Sequence, residues 1–218
     1  MIRDLKATFA IRKSSEIFNI VMVCSAVILA VIVAIGIDDI QEMTTILVSI
    51  VASAYVGLNL FIKPFMQALD FSKGISFGMT RRKLFAYMRL FDLAEILLIT
   101  IIMICFPIAV GVNVIFKVGA ICFGIFTLIS GIAGNSIIRY GKNAYWVYYV
   151  LLLLVSFGSP RILHLLTGAM DVVASGIDMV VSPAYSQGGI WMKIIIFIVL
   201  TLIINWLTTR KVAVNNNL

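Results

Sequence analysis

The sequence predicts an all-α membrane protein with six transmembrane helices, and three observations lead there. Only 12% of the 218 residues are charged and 62% are hydrophobic, with a mean hydropathy of +1.11; soluble domains run at about 25% charged. The apolar residues gather in six long runs, at 17–37, 44–62, 93–115, 118–138, 144–158 and 190–209, each near the roughly 20 residues that cross a hydrocarbon core of about 30 Å. Cations divide unevenly between the loops. With the N-terminus inside, fourteen of the seventeen Lys and Arg residues fall on one side, leaving Lys117, Arg161 and Lys193 on the other, as the positive-inside rule requires. The expectation is one transmembrane domain, 1–218, with both termini cytoplasmic.

The elements follow in order. Residues 1–16, MIRDLKATFAIRKSSE, are too polar to span. Ile2, Leu5 and Phe9 share one face, with Lys6, Arg12 and Lys13 elsewhere, which predicts an interfacial helix on the inner leaflet or a docking surface. The run 17–37 exceeds a signal-peptide core of roughly 7–15 residues and has no A-x-A site, so it is expected as a retained span. Asp38, Asp39 and Glu42 mark the outer loop that follows.

Between the second and third spans lies KPFMQALDFSKGISFGMTRRKLFAYMRL, residues 63–90. Pro64 breaks the second span. The segment PFMQALDF has helical composition, Gly74 and Gly78 are natural stop points, and Thr80 is a plausible N-cap for a helix starting at Arg81. The segment therefore reads as short helix, glycine turn, helix. Arg81, Arg82 and Lys83 sit in the first turn of the new helix, where the macrodipole disfavours cations by roughly 0.3–1 kcal/mol each. Lipid headgroups or an acidic partner surface would offset this. Ile75, Phe77 and Met79 alternate around the glycines, as a lipid- or protein-contacting knob would require.

The run SFGMTRRKLF resembles the cytoplasmic segment between the second and third spans of ABC-2-type transporter permeases, among them small bacterial exporters. The resemblance implies a coupling helix that takes up movement of an ATPase dimer, with Asp70, Ser72, Gly74, Ser76, Phe77, Gly78, Thr80, Arg81 and Arg82 as the coupling residues. It also implies a bacterial plasma-membrane location, two copies of a separate ATPase subunit carrying ATP and Mg, a second permease copy, most simply a homodimer, and an amphipathic or toxic peptide as cargo. The chain carries no G-x-x-x-x-G-K-[ST] to cradle phosphates and no HExxH or Ser/His arrangement, so no enzymatic activity, cofactor or nucleic-acid partner is expected in it. A non-transporting membrane protein, such as a bacteriocin-immunity factor or sensor scaffold, is the alternative.

Residues 159–189 contain apolar positions at helical spacing interrupted by Arg161, Asp171 and Asp178, and predict short outer helices that dip into the membrane. His164 is the sole histidine, and Cys24, Cys105 and Cys122 lie in apolar runs without CxxC spacing, so no metal site is expected. Glu95, inside the third span, is expensive to bury. With Arg89 and Asp92 it forms either an ion-pair ladder on one helix face or, with Asn19, Asn59, Asn135 and Asn205, the inner mouth of a substrate path. Helix–helix hydrogen bonding accounts equally well for the asparagines. Gly124, Gly131 and Gly134, with Thr127 and Ser130, predict a close-packing surface on the fourth span.

Overall fold

The computed structural model describes residues 2–35, 37–106, 111–157, 175–176, 178–182 and 185–211. Every regular element among them is helical: α1 Ile2–Ala34, α2 Ile40–Phe61, α3 Lys63–Ser76, α4 Arg81–Ile104, α5 Val112–Ile129, a π turn Ser130–Gly134, α6 Asn135–Tyr140, α7 Lys142–Phe157 and the long last helix α8, Gln187–Lys211. Among the described residues, four stretches are long and apolar enough to cross a membrane: Arg3–Ala34, Ile40–Phe61, Val112–Tyr140 and Gln187–Arg210. The large apolar residues on their outer faces, such as Ile28, Ile125 and Met192, are exposed, which suits a surface bathed in hydrocarbon and not in water.

The expected boundary between an interfacial helix and the first span is absent. Residues 2–34 form one unbroken helix, about 50 Å long at 1.5 Å per residue, so it outreaches a hydrocarbon core of about 30 Å. The polar stretch Arg12–Glu16 continues as helix because its side chains find partners on α3 and α4. The third span also differs from expectation. Helix α4 ends at Ile104 and the next helix begins at Val112, where the sequence reading ran from 93 to 115; Pro107 lies just past the end, as proline's lack of an N–H dictates. The chain from 112 to 140 then runs through α5, the π turn and α6. Helix α7 has 16 residues, about 24 Å. The predicted outer helices fall largely on 158–174, 177 and 183–184, outside the described residues, as does His164.

Two apolar clusters organise the interior. One joins Ala68, Phe71, Leu84, Met88, Ile137 and Ile138; the other joins Tyr55, Ile96, Phe123 and Phe126. Helix α4 contributes to both through a stripe at i, i+4 spacing, Leu84, Met88, Asp92, Ile96 and Thr100, all buried. The carboxylate of Asp92 thus sits between two hydrophobic layers.

The close-packing surface expected on the fourth span is covered by α8. A Cβ on Gly131 would lie 3.0 Å from the Asn205 Cα, and one on Gly124 would collide with the Phe197 ring. The Gly131 carbonyl, in the π turn, accepts from Asn135 Nδ2 at 2.8 Å and Thr208 Oγ1 at 3.3 Å. At the far end of the bundle Lys117 is buried, not a loop cation. Its ammonium donates to the Val180 carbonyl at 3.0 Å and to Gln187 Oε1.

Candidate functional site

The break at Ile62 sets the geometry of the basic hairpin. Pro64, at the start of α3, cannot extend α2, so a separate helix α3 begins there and leads through a turn into α4. Gly78 makes that turn with φ +77°, a conformation that costs other residues a Cβ clash. Helix α4 then starts at Arg81 with Thr80 in extended conformation before it; the Thr80 side chain makes no capping hydrogen bond.

The expected coupling residues divide into an inward and an outward set. Asp70 is 2% exposed and accepts from Ser15 Oγ at 2.6 Å. Burial pushes its carboxyl above the ordinary value, while the Ser15 hydroxyl, Lys73 and Arg12 pull the other way. The Ser72 hydroxyl is buried and has no hydrogen-bond partner among the described residues. Gly74 does not stop the helix; it lies inside α3, where a Cβ would come within 2.5 Å of Leu84 Cδ2. Glycine at 74 thus makes room for the Leu84 side chain between α3 and α4 and does not form the turn. Ile75 and Met79 are no part of an exposed knob, since both pack against the cluster around Phe71 and Leu84. What projects is Phe77, 77% exposed, flanked by exposed Ser76, Gly78, Thr80 and Arg82. Ser76 Oγ bonds back to the Ser72 carbonyl at 3.0 Å.

The basic first turn of α4 is offset partly within the chain. Lys83 Nζ meets Asp4 Oδ2 at 2.8 Å, and each group shifts the other toward its charged form, Asp4 downward and Lys83 upward. Arg81 Nη1 donates to the Arg210 carbonyl at 3.2 Å, a cation placed on the end of α8 where the helix dipole favours it. The hairpin thereby ties both terminal helices together.

Beneath the hairpin lies a cluster that sequence reading found only in part. The Arg89–Asp92–Glu95 ladder exists, with Arg89 Nη1 3.2 Å from Asp92 Oδ2, but its main partners come from α1 and α3. Arg12, 2% exposed, puts Nη1 3.0 Å from Asp92 Oδ1 and 2.9 Å from the Met88 carbonyl, and pairs with Glu16. Lys63, 6% exposed, lies 2.5 Å from Glu95 Oε2 and 3.4 Å from Asp92 Oδ1. Gln67 Nε2 donates to Asp92 at 3.0 Å, its Oε1 accepts from Ser130 Oγ, and Ser130 accepts from Arg89 Nη2 at 3.1 Å. Three cations, Arg12, Lys63 and Arg89, face three acids, Glu16, Asp92 and Glu95. The balance matters, because one unpaired charge left buried costs several kcal/mol. Arg12 and Lys63 had read as a surface and a loop cation. The signal that could have found them is the pair of acids in α4: acids at the edge of an apolar run demand cations at the same depth on neighbouring helices.

Of the asparagines expected along a substrate path, Asn135 and Asn205 make interhelical bonds. Asn135 Nδ2 reaches Thr208 Oγ1 at 2.7 Å and Thr209 Oγ1 at 3.0 Å, and Asn205 Nδ2 reaches the Thr127 carbonyl at 2.8 Å. Asn59 bonds to the Tyr55 carbonyl within α2 at 2.8 Å, and Asn19 is buried on α1. Asn135 and Asn205 share a cavity of about 20 Å³ with Gln67, Arg89 and Ser130; Asn59 borders another of about 10 Å³ beside Lys63 and Asp92. The first has room for a single water.

Comparison of the chain with protein-family models, with curated proteins and with solved structures finds no match.

Proposed function

We propose that the chain is the transmembrane subunit of an ATP-driven ABC-2-type exporter, acting as a homodimer with two ATPase subunits that supply ATP and Mg chemistry. The observation that carries this reading is the α3–Gly78–α4 hairpin. Its tip offers one exposed aromatic, Phe77, beside exposed Arg82, a pairing of residue types enriched at protein interfaces. Its base is rigid, because Leu84 and Met88 anchor α4 in one apolar cluster and Ile96 in the other. A push on the tip has few soft places to dissipate. It meets Asp92 and its partners Arg12, Lys63 and Gln67, and so reaches α1 and the Lys63 end of α3, next to α2, as well as α4.

In this reading the four long apolar helices are joined by the apolar part of α4 and by α7 to make six spans, with the hairpin and both termini in the cytoplasm of a bacterium. Closure of the ATPase dimer shifts the spans between two states, and differential affinity of those states for cargo gives direction. An amphipathic or toxic peptide is the proposed cargo, with Glu95 and the asparagines 19, 59, 135 and 205 near its inner entry.

The test combines location and company. Ser76→Cys, in a chain whose Cys24, Cys105 and Cys122 are replaced by alanine, is expected to resist an impermeant thiol reagent in whole cells and to react in inverted vesicles. Solubilised wild-type chain is expected to bring down an ATPase. Labelling from outside, or purification without any nucleotide-hydrolysing chain, returns the protein to the non-transporting alternative.

A further inference from the structure

We propose that the ridge between α7 and α8 is a seat for one anionic diacyl phospholipid of the inner leaflet, its phosphate at Arg139 and one acyl chain in each of the two grooves flanking the ridge. The site rests on the reading of the chain as membrane-embedded, and is independent of any ATPase.

The ridge is built by Ile132, Ser136 and Tyr140, at i, i+4 spacing across the π turn and α6, and these three residues border both grooves. The first groove, about 550 Å³, lies between the ridge and α7 and is walled by Ile129, Val147 and Leu151. Its lining is almost wholly carbon. The second, about 490 Å³, lies between the ridge and α8 at Leu207 and Thr208. It is more polar and ends at Arg139. The volumes lie in the range of small-molecule sites, yet both are open along the side that faces hydrocarbon in the membrane reading, where only an acyl chain or another helix can fill them.

Charge decides between those occupants. The grooves converge at the Gly141 turn, whose φ of +69° lets α6 and α7 meet tightly. Arg139 and Lys142 flank it, both exposed, and among the described residues neither pairs with a carboxylate. The Arg139 guanidinium stands 5.0 Å over the Tyr140 ring, which places it at the ridge crest. This turn is at the same end of the bundle as the basic hairpin, since Ile137 and Ile138 pack with Phe71 and Leu84. A second copy of the chain would present the same cationic rim. A phosphate diester with two tails complements one cationic crest between two apolar troughs, and guanidinium binds phosphate in a bidentate fork.

The experiment is native mass spectrometry of the full chain released from nanodiscs holding equal phosphatidylglycerol and phosphatidylcholine. Wild type is expected to retain phosphatidylglycerol preferentially. Arg139→Gln is expected to reduce that preference about fivefold, corresponding to about 1 kcal/mol for one basic residue at an anionic surface. Val147→Trp fills the first groove from an exposed position and is expected to lose retained lipid of both kinds at unchanged helix content. Lys6→Gln, removing another exposed cation of the same end, leaves the preference as it was. Equal retention of the two lipids overturns the proposal. So does an equal effect of Lys6→Gln, which would mean diffuse attraction. Dissociation of an oligomer by Val147→Trp without loss of lipid overturns it as well, giving the groove to a second copy. Release of the chain from membranes by alkaline carbonate would sink the membrane reading itself, and with it the site; firm retention without lipid preference sinks the site alone.

Discussion

The Lys63 ammonium lies 2.5 Å from Glu95 Oε2, joining the residue at which α2 gives way to α3 to the apolar half of α4. Both side chains are largely buried, and Asp92 is within 3.4 Å of the same ammonium. Removing one member of such a pair strands the other in a poorly solvated place. Lys63→Met is expected to destabilise the protein by about 3–5 kcal/mol, read as a fall in unfolding midpoint in detergent. Lys63→Met with Glu95→Gln is expected to recover most of the loss. A single variant as stable as wild type would show that the cluster is solvated and not a closed charge balance.

The two glycines of the hairpin fail for different reasons when substituted. Gly78 has φ +77° and open space around its missing Cβ, so Gly78→Ala costs only backbone strain, about 1–2 kcal/mol, and Gly78→Asn costs less. Gly74→Ala meets Leu84 at 2.5 Å, an overpacking cost of about 1–3 kcal/mol. Leu84→Val is expected to relieve the clash at position 74 and to do nothing for position 78. Thermal unfolding of the four single variants and the two pairs with Leu84→Val checks this, and relief at both positions would contradict the assignment.

Asp70 gives a pH signature outside the spans. Its folded-state pKa is raised above the ordinary 3.8, chiefly by burial. The folded protein therefore holds the proton more tightly than the unfolded chain, and stability falls as pH rises from 3.8 through the raised value. Above that window the penalty is constant. Asp70→Asn keeps an acceptor for Ser15 and removes the charge, so it is expected to flatten this part of the stability–pH curve and to be at least as stable as wild type at pH 7. A variant less stable at neutral pH would mean that Asp70 is held charged by Lys73 and Arg12.

Much of the helix order was legible because punctuation is local. Pro64, Thr80 and Gly78 placed the start of α3, the start of α4 and the turn between them, each from backbone chemistry within a residue or two. The glycines at 124 and 131 announced a close-packing surface on the fourth span, but not that α8 is the helix that covers it. The charge cluster was legible only on α4, where Arg89, Asp92 and Glu95 share a face. Arg12 is 80 residues from Asp92 in sequence, and nothing near Arg12 distinguishes it from a leaflet-facing cation. Its burial is a tertiary fact, and it carries with it the continuity of α1 through Ser14–Glu16. The π turn was hidden for a different reason: one extra residue shifts the phase of a helical stripe, but residues 118–138 are apolar or small on nearly every face and offer no stripe in which to see the shift. Gly74 misled because one glycine serves equally well as a stop and as a crossing point.

The central claim is that the hairpin tip is gripped by a separate motor, and Phe77 tests it most directly. A photo-crosslinking phenylalanine analogue at position 77, irradiated in intact cells, is expected to yield an adduct with a nucleotide-hydrolysing chain, and the same analogue at exposed Met192 on α8 is expected to yield none. Adducts from position 77 with lipid alone, or with no protein but a second copy of this chain, would contradict the account.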